Sequence, residues 1–164
     1  MATSLPARIA LPTDPSSAFA LLTDPGYVTE VAERTGGKDV SVEVTPTADG
    51  GVVVVSKRSL PAQVPSFAKA VVGEQLAITE TREYGPADGS GARSGTASVS
   101  IEGAPVSIGG PLSLRAEGEG TVLALDAKVS ASIPFVGGKI EKFAAEQIER
   151  FLAKEQKVAA ERLA

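Results

Sequence analysis

The chain contains no histidine, no cysteine and no tryptophan, and its one methionine is the first residue. Without cysteine there is no disulfide, no thiolate nucleophile and no thiolate metal site. Without histidine the usual general base near neutral pH is gone, with the commonest zinc ligand and every Ser–His or Cys–His arrangement. Any catalysis would fall to carboxylates, lysine, arginine or tyrosine, and neither a metal nor a cofactor is expected. Long apolar runs are missing too, since no window approaches the roughly 18 uninterrupted apolar residues of a membrane-spanning helix. The stretch from Met1 to Arg8 lacks a basic segment followed by an apolar one. No signal peptide is therefore expected, and a cytoplasmic location is. The net charge of −4 provides no basic footprint for nucleic acid.

What remains is an ordinary globular composition. A chain of 164 residues has room for one domain with a real core, spanning 1–164, and too little for two. Leu5 to Leu11 reads as a short strand with Ala7, Ile9 and Leu11 on one face. Thr13-Asp14-Pro15 and Thr23-Asp24-Pro25 then open two helices, each with Asp as N-cap and Pro at the first helical position. The first buries Ala18, Phe19 and Leu22; the second carries Tyr27, Val28 and Val31 and stops at Gly36-Gly37.

From Lys38 the period changes to two. Val40, Val42 and Val44 alternate with polar residues, Asp49-Gly50-Gly51 makes a hairpin turn, and Val52 to Leu60 returns. After Pro61 and Pro65, Ser66 is expected to cap a short segment of Phe67, Ala68, Val71 and Val72. With Lys69 this insert reads as a lid, a membrane-touching patch or, preferably, a plug for one end of the fold; no basic face supports stable membrane insertion. Strand patterns follow over Glu74–Tyr84, Arg93–Glu102, Val106–Leu114 and Leu123–Ala131. A bulge or bend is expected at Gly109-Gly110-Pro111. The chain ends in an amphipathic helix from about Gly138 to Leu163. Ile140, Phe143, Ala144, Ile148, Phe151 and Leu152 form its apolar stripe, opposite Glu141, Lys142, Glu146, Glu149, Arg150 and Lys154.

Such a stripe must cover something, and the sheet is the partner at hand. Aromatics are only 4% of the chain, and small side chains do not span a curled sheet. A cavity on the order of 300–1,000 Å³ is expected beneath the helix, with a fully packed small-residue core as the alternative. If Leu76 and Ile78 face inward, so do Glu80, Arg82 and Tyr84. The phase of Val52 and Val54 likewise carries Ser56 and Arg58. Arg58, Glu80 and Arg82 would then meet inside or at the mouth, where an arginine can grip the polar end of a greasy ligand. A slipped phase, or strands ending in solvent, would leave a surface ion pair instead. Asp126 falls on an outward phase, which argues against a Glu80–Asp126 acid–base pair. Gly137-Gly138-Lys139 lacks the full phosphate-loop pattern and reads as a flexible hinge.

The element order resembles the helix-grip fold of the START-like (SRPBCC) superfamily, which includes the birch-pollen-allergen family and aromatic polyketide cyclases. Leu22-Thr23-Asp24-Pro25-Gly26-Tyr27, Arg58-Ser59-Leu60-Pro61, Gly103-Ala104-Pro105-Val106 and the run from Pro134 to Glu141 are similar to those of an uncharacterised, mainly actinobacterial family within it. The resemblance implies an α+β fold of strand, two helices, six antiparallel strands and a long C-terminal helix, with a cavity for an apolar or amphipathic small molecule. It carries over no catalytic residues. The expected function is binding or carrying a lipid-like or polyketide-like molecule, more a carrier than an enzyme. The rivals are a cyclase- or dehydratase-like enzyme and an interaction module with a filled core. The expected polar contacts are Arg58, Glu80, Arg82 and Tyr84. The expected apolar ones are Tyr27, Phe67, Val99, Leu112, Phe135, Phe143 and Phe151.

Overall fold

Two Asp-Pro pairs set the first turns of the chain. In the computed structural model, which describes residues 2–164 apart from the side chains of Val71 and Val72, β1 (Thr3–Leu11) leads into α1 (Pro15–Leu22) and α2 (Pro25–Arg34). Asp14 accepts from the Ser17 N–H and Asp24 from the Gly26 N–H, with proline at the start of each helix. These carboxylates satisfy donors that have no partner within the helix. The apolar faces of the two helices bury Ala18, Leu22, Tyr27, Val31 and Ala32.

The remaining strands are β2 (Lys38–Pro46), β3 (Val52–Pro61), β4 (Gln75–Tyr84), β5 (Arg93–Ile101), β6 (Val106–Glu117) and β7 (Gly120–Ala131). They form one antiparallel sheet in the order β1-β7-β6-β5-β4-β3-β2. The sheet is curved, and α4 (Gly137–Leu163) closes the expected α+β helix-grip arrangement. Strand β1 pairs with the last strand rather than the next, so α1 and α2 carry the chain across to the far edge.

The bulge expected at Gly109-Gly110-Pro111 is absent. Strand β6 keeps a single register against β7 from Val106↔Ala131 to Glu117↔Gly120. The slip lies instead in β2 between Lys38 and Ser41, where Asp39 takes a positive φ of 53°. Glycine in the sheet serves close approach. A Cβ at Gly95 would lie 1.7 Å from the Glu83 carbonyl oxygen, and one at Gly110 2.1 Å from that of Asp126. Neighbouring strands therefore crowd together there, which favours coiling without a change of register.

The insert α3 (Ser66–Val72) also differs from expectation at its start. Pro65 occupies the cap position and no side chain caps the helix. Ala68 is buried, Phe67 is half-buried, and the insert packs on the core at one end of the sheet. The side chains of Val71 and Val72, expected to share that role, lie outside the described residues.

Helix α4 rests on β1 and β7 and touches α2. One core cluster joins α1, α2, the sheet and the C-terminal half of α4 through Leu22, Tyr27, Leu114, Leu152 and Val158. A second joins Leu5, Ala68, Val106, Val129, Ile140 and Ala145. Leu125 and Ile148 pack against both. Glu141, expected on the solvent arc, is 4% exposed. Its carboxylate accepts from the Thr3 hydroxyl and the Ala131 N–H, both at 3.0 Å, tying the start of α4 to the sheet edge. Gly137 sits where a Cβ would come within 2.8 Å of the Ala131 carbonyl oxygen, so close approach accounts for a glycine at that position.

Gly95→Val should lose about 1–3 kcal/mol or more through overpacking. Gly138→Ala, which meets nothing within 4 Å, should gain about 0.4–1 kcal/mol by restricting the unfolded chain. Urea denaturation of the two variants checks the opposite signs.

Candidate functional site

Beneath α4 lies a cavity of about 380 Å³, within the size range expected from the sequence. Its roof is the stripe Ile140, Phe143, Ala144, Ile148, Phe151 and Leu152 of α4. Its floor comes from inward residues of β3 to β7, among them Leu76, Ile78, Ala97, Val99, Ile108, Leu112 and Leu125. Val64 and Ala68 line it at the α3 end. The space lies where α4, seated on the β1 and β7 side, passes over the floor of β4 and β5, which is lined by aliphatic and alanine side chains with Glu80 and Arg82 as the charged exceptions. Leu5, Ile9 and Val129 fill the seated side and are at most 2% exposed.

The charged part of the wall comes from two neighbouring strands and one turn of the helix. The register pairs Ser56 with Glu80 and Arg58 with Ile78, so Arg58 and Glu80 are diagonal neighbours on the inner face. Arg58 Nη1 lies 3.6 Å from Glu80 Oε1 and donates to Ser56 Oγ at 3.4 Å. Its Nε is buried without a hydrogen-bond partner among the described residues. Its guanidinium carbon stands 4.8 Å from the ring centroid of Phe151, a cation–π contact.

Arg82 is far better satisfied. Its Nε donates to Glu80 Oε2 at 3.2 Å, and Nη1 and Nη2 grip the two oxygens of Glu155 at 2.8 and 2.7 Å. The Tyr27 hydroxyl donates to Glu155 Oε2 at 3.2 Å. Glu155 is only 2% exposed, so α4 brings a carboxylate into the core where Arg82 meets it. A chamber of about 20 Å³ lies behind this cluster, bounded by Tyr27, Ser56, Arg58, Glu80, Arg82 and Glu155 among others; it has room for about one water molecule.

Burial works against the Glu80 carboxylate, but the positive charges of Arg82 and Arg58 outweigh it, and its pKa falls below the ordinary 4.5. Burial also opposes the Arg82 charge, and Glu155 and Glu80 overcome it, so Arg82 stays protonated. Tyr27 is pushed well above 10.0 by burial and by the negative charge of Glu155. Burial raises Tyr84 as well.

Of the residues singled out from sequence, Arg58, Glu80, Arg82, Val99, Leu112, Phe143 and Phe151 line the cavity. The alternation in β3 and β4 therefore keeps its phase, and the cluster is internal rather than a surface pair. Four others do not line it. Tyr84 follows Arg82 on the same face, yet it lies beyond the cavity against α1, edge-on to Phe19 at 5.5 Å between ring centroids. Its hydroxyl has no partner among the described residues. Tyr27 borders the small chamber instead. Phe67 packs on the second core cluster. Phe135 is fully exposed at a positive φ of 71°, because the link into α4 turns its side chain outward. Asp126 is exposed on its outward phase.

Sequence reasoning missed Glu155 altogether. The signal was present: Glu155 lies three and four residues after Leu152 and Phe151 and precedes the buried Val158 and Ala159 by the same helical step.

A family model described as Protein of unknown function (DUF2505) matches residues 7–163. The chain belongs to this family. No curated protein matches it. Among solved structures it is similar to TTHA0849 from Thermus thermophilus, with a TM-score of 0.63 and 17% identity over 98% of this chain and 97% of that one. It is also similar to the Zhui aromatase/cyclase from Streptomyces sp. R1128, with a TM-score of 0.57 and 15% identity over 99% and 94%. A STAR-related lipid transfer protein from Xanthomonas axonopodis gives a TM-score of 0.54 and 16% identity over 96% and 84%. At these identities the likeness establishes the fold, which is START-like as the resemblance implied.

Glu155→Leu alone should destabilise by about 3–5 kcal/mol, since it leaves the buried Arg82 guanidinium short of a partner. Adding Arg82→Met should restore much of that loss, and chemical denaturation of the single and double variants measures the coupling. Stability should also fall at both pH extremes. Glu80 has a depressed folded pKa, so its contribution is complete above about pH 4.5 and is lost as pH drops through the folded value. Tyr27 and Tyr84 are raised, so stability declines above about pH 10, where the unfolded tyrosines ionise first. Tyr27→Phe should flatten the alkaline limb of urea midpoints plotted against pH.

Proposed function

We propose that this member of the family binds and carries a hydrophobic or amphipathic small molecule in the space between the sheet and α4. The observation that carries the reading is the cavity of about 380 Å³, walled by aliphatic and phenyl side chains and ending on a few polar groups. Concave, mostly apolar sites with a small number of placed polar groups are what small-molecule pockets look like. Phe143 and Phe151 supply the aromatic contacts and Val99 and Leu112 the aliphatic ones. Arg58 provides the polar contact. Arg82, an equal candidate from sequence, has committed its donors to Glu80 and Glu155.

The fold supports this in general terms, because neighbours on the same scaffold include a lipid transfer protein and an aromatase/cyclase. Fold alone does not choose between carriage and catalysis. The cyclase-like alternative calls for Glu80, Arg82 and Tyr84 to converge in the cavity, and Tyr84 is packed against Phe19 instead. The filled-core alternative is at odds with the open volume. No helix among the described residues is long and apolar enough to cross a membrane.

A ligand held at a hundred times its Kd stabilises the folded state by about 2.7 kcal/mol. For a chain of this size that is a rise in melting temperature of roughly 5–11 °C. Single-chain lipids and flat polycyclic compounds should give such shifts, and native mass spectrometry of protein purified from its own host should show a bound species. Ala97→Phe and Ala144→Phe fill the cavity from floor and roof; both variants should stay folded and lose the shift. No shift across the panel, or a shift that survives the filled cavity, would remove the basis of this reading.

A further inference from the structure

The charges at the polar end of the cavity restrict what the ligand can carry, and this inference rests on the carrier reading above. The walls contain three ionisable side chains among the described residues, Arg58, Glu80 and Arg82, and Glu155 stands behind them. Two guanidinium groups thus face two carboxylates, and the buried cluster is neutral. Arg82 is committed to Glu80 and to both oxygens of Glu155. Arg58 is not: its contacts are a hydrogen bond of 3.4 Å to Ser56, an ion pair of 3.6 Å to Glu80 and the face of the Phe151 ring. It is 7% exposed with Nε unpartnered among the described residues, so it retains donor capacity away from bulk solvent.

We infer that the site takes a slender ligand whose polar end is an uncharged hydrogen-bond acceptor, such as a ketone, aldehyde, ester or amide carbonyl, facing Arg58. A carbonyl oxygen accepts from the guanidinium and leaves the charge balance intact. A carboxylate or phosphate at the same point would be an unbalanced negative charge close to Glu80, in surroundings of Ile78, Val99, Phe151 and other apolar groups. Burial of an unpaired charge is strongly unfavourable. A positively charged end is equally disfavoured, because Arg58 would face it directly.

The volume limits size in the same way. An apolar cavity of about 150 Å³ holds one benzene. At about 380 Å³ the space corresponds to about fifteen non-hydrogen atoms on that scale. That fits one medium alkyl chain or two to three fused rings, and is too small to enclose a two-chain phospholipid.

Undecyl methyl ketone and dodecanoate separate the possibilities, because they share a chain and differ in a methyl group against a carboxylate oxygen. Isothermal titration near neutral pH should show the ketone binding at least tenfold more tightly. Glu80→Gln removes one negative charge from the cluster, and the preference for the ketone over dodecanoate should then fall at least tenfold. Equal or tighter binding of dodecanoate to the unaltered protein overturns the inference and leaves the carrier reading standing. Extraction of a two-chain phosphatidylcholine from vesicles, seen by native mass spectrometry, overturns the size limit. Binding by none of the three probes overturns this inference, and the carrier reading falls with it only if the polycyclic compounds also leave the melting temperature unchanged. Should Glu80→Gln fail to fold, the comparison on the unaltered protein still decides.

Discussion

Arg82 and Glu155 meet inside the core where the sheet and the C-terminal helix come together, with the apolar Leu152 and Val158 a helical step to either side of the glutamate. The two hydrogen bonds between them, 2.8 and 2.7 Å long, span the layers that hydrophobic contact elsewhere presses together. A buried pair of this kind is a poor source of net stability, because desolvating two charges offsets most of their attraction. Its effect here is geometric. A guanidinium and a carboxylate laid end to end hold helix and strand at a set separation, which branched aliphatic side chains would shorten. Tyr27 adds a third anchor from α2, and Glu141 pins the other end of the helix to β1 and β7. Between those fixings the helix passes over aliphatic floor residues and the volume beneath it stays open.

The same pair decides how the rest of the polar cluster behaves. With Arg82 committed to Glu155, Glu80 is shared between two arginines, and Arg58 is left with long contacts and an idle Nε. A cavity wall with one under-used guanidinium and no net charge differs chemically from one with an unopposed arginine. A lipid transfer protein and an aromatase/cyclase on this scaffold need share no ligand chemistry, because such differences reside in a handful of side chains and not in the backbone.

Much of the site was legible before any coordinates. Alternation through Leu76, Ile78, Glu80 and Arg82 placed two charges on an inner face, and Val52, Val54, Ser56 and Arg58 did the same next door; hydrogen-bonded register then made neighbours of them. Where inference failed, it failed on extent. Tyr84 has the predicted phase but lies one step past the end of the cavity, where Phe19 closes the core. Phe135 was judged by hydrophobicity, yet a left-handed backbone at that residue sends the ring into solvent. Glu141 is set on the solvent arc by its charge and Glu155 is passed over, yet each is buried beside a donor from a distant strand. Periodicity reports which way a side chain points; it does not report what waits there.

Local chemistry alone determined the elements: Asp-Pro pairs that start helices, glycine turns that join strands, a period of two in the sheet and an apolar stripe on the last helix. These depend on neighbours within a few residues, which is why one chain suffices to read them. The open volume, the pairing of Arg82 with a glutamate 73 positions away and the spare donors of Arg58 were decided only when the layers assembled. Each depends on the distance between helix and sheet, a quantity set jointly by every contact in the core and written at no single position.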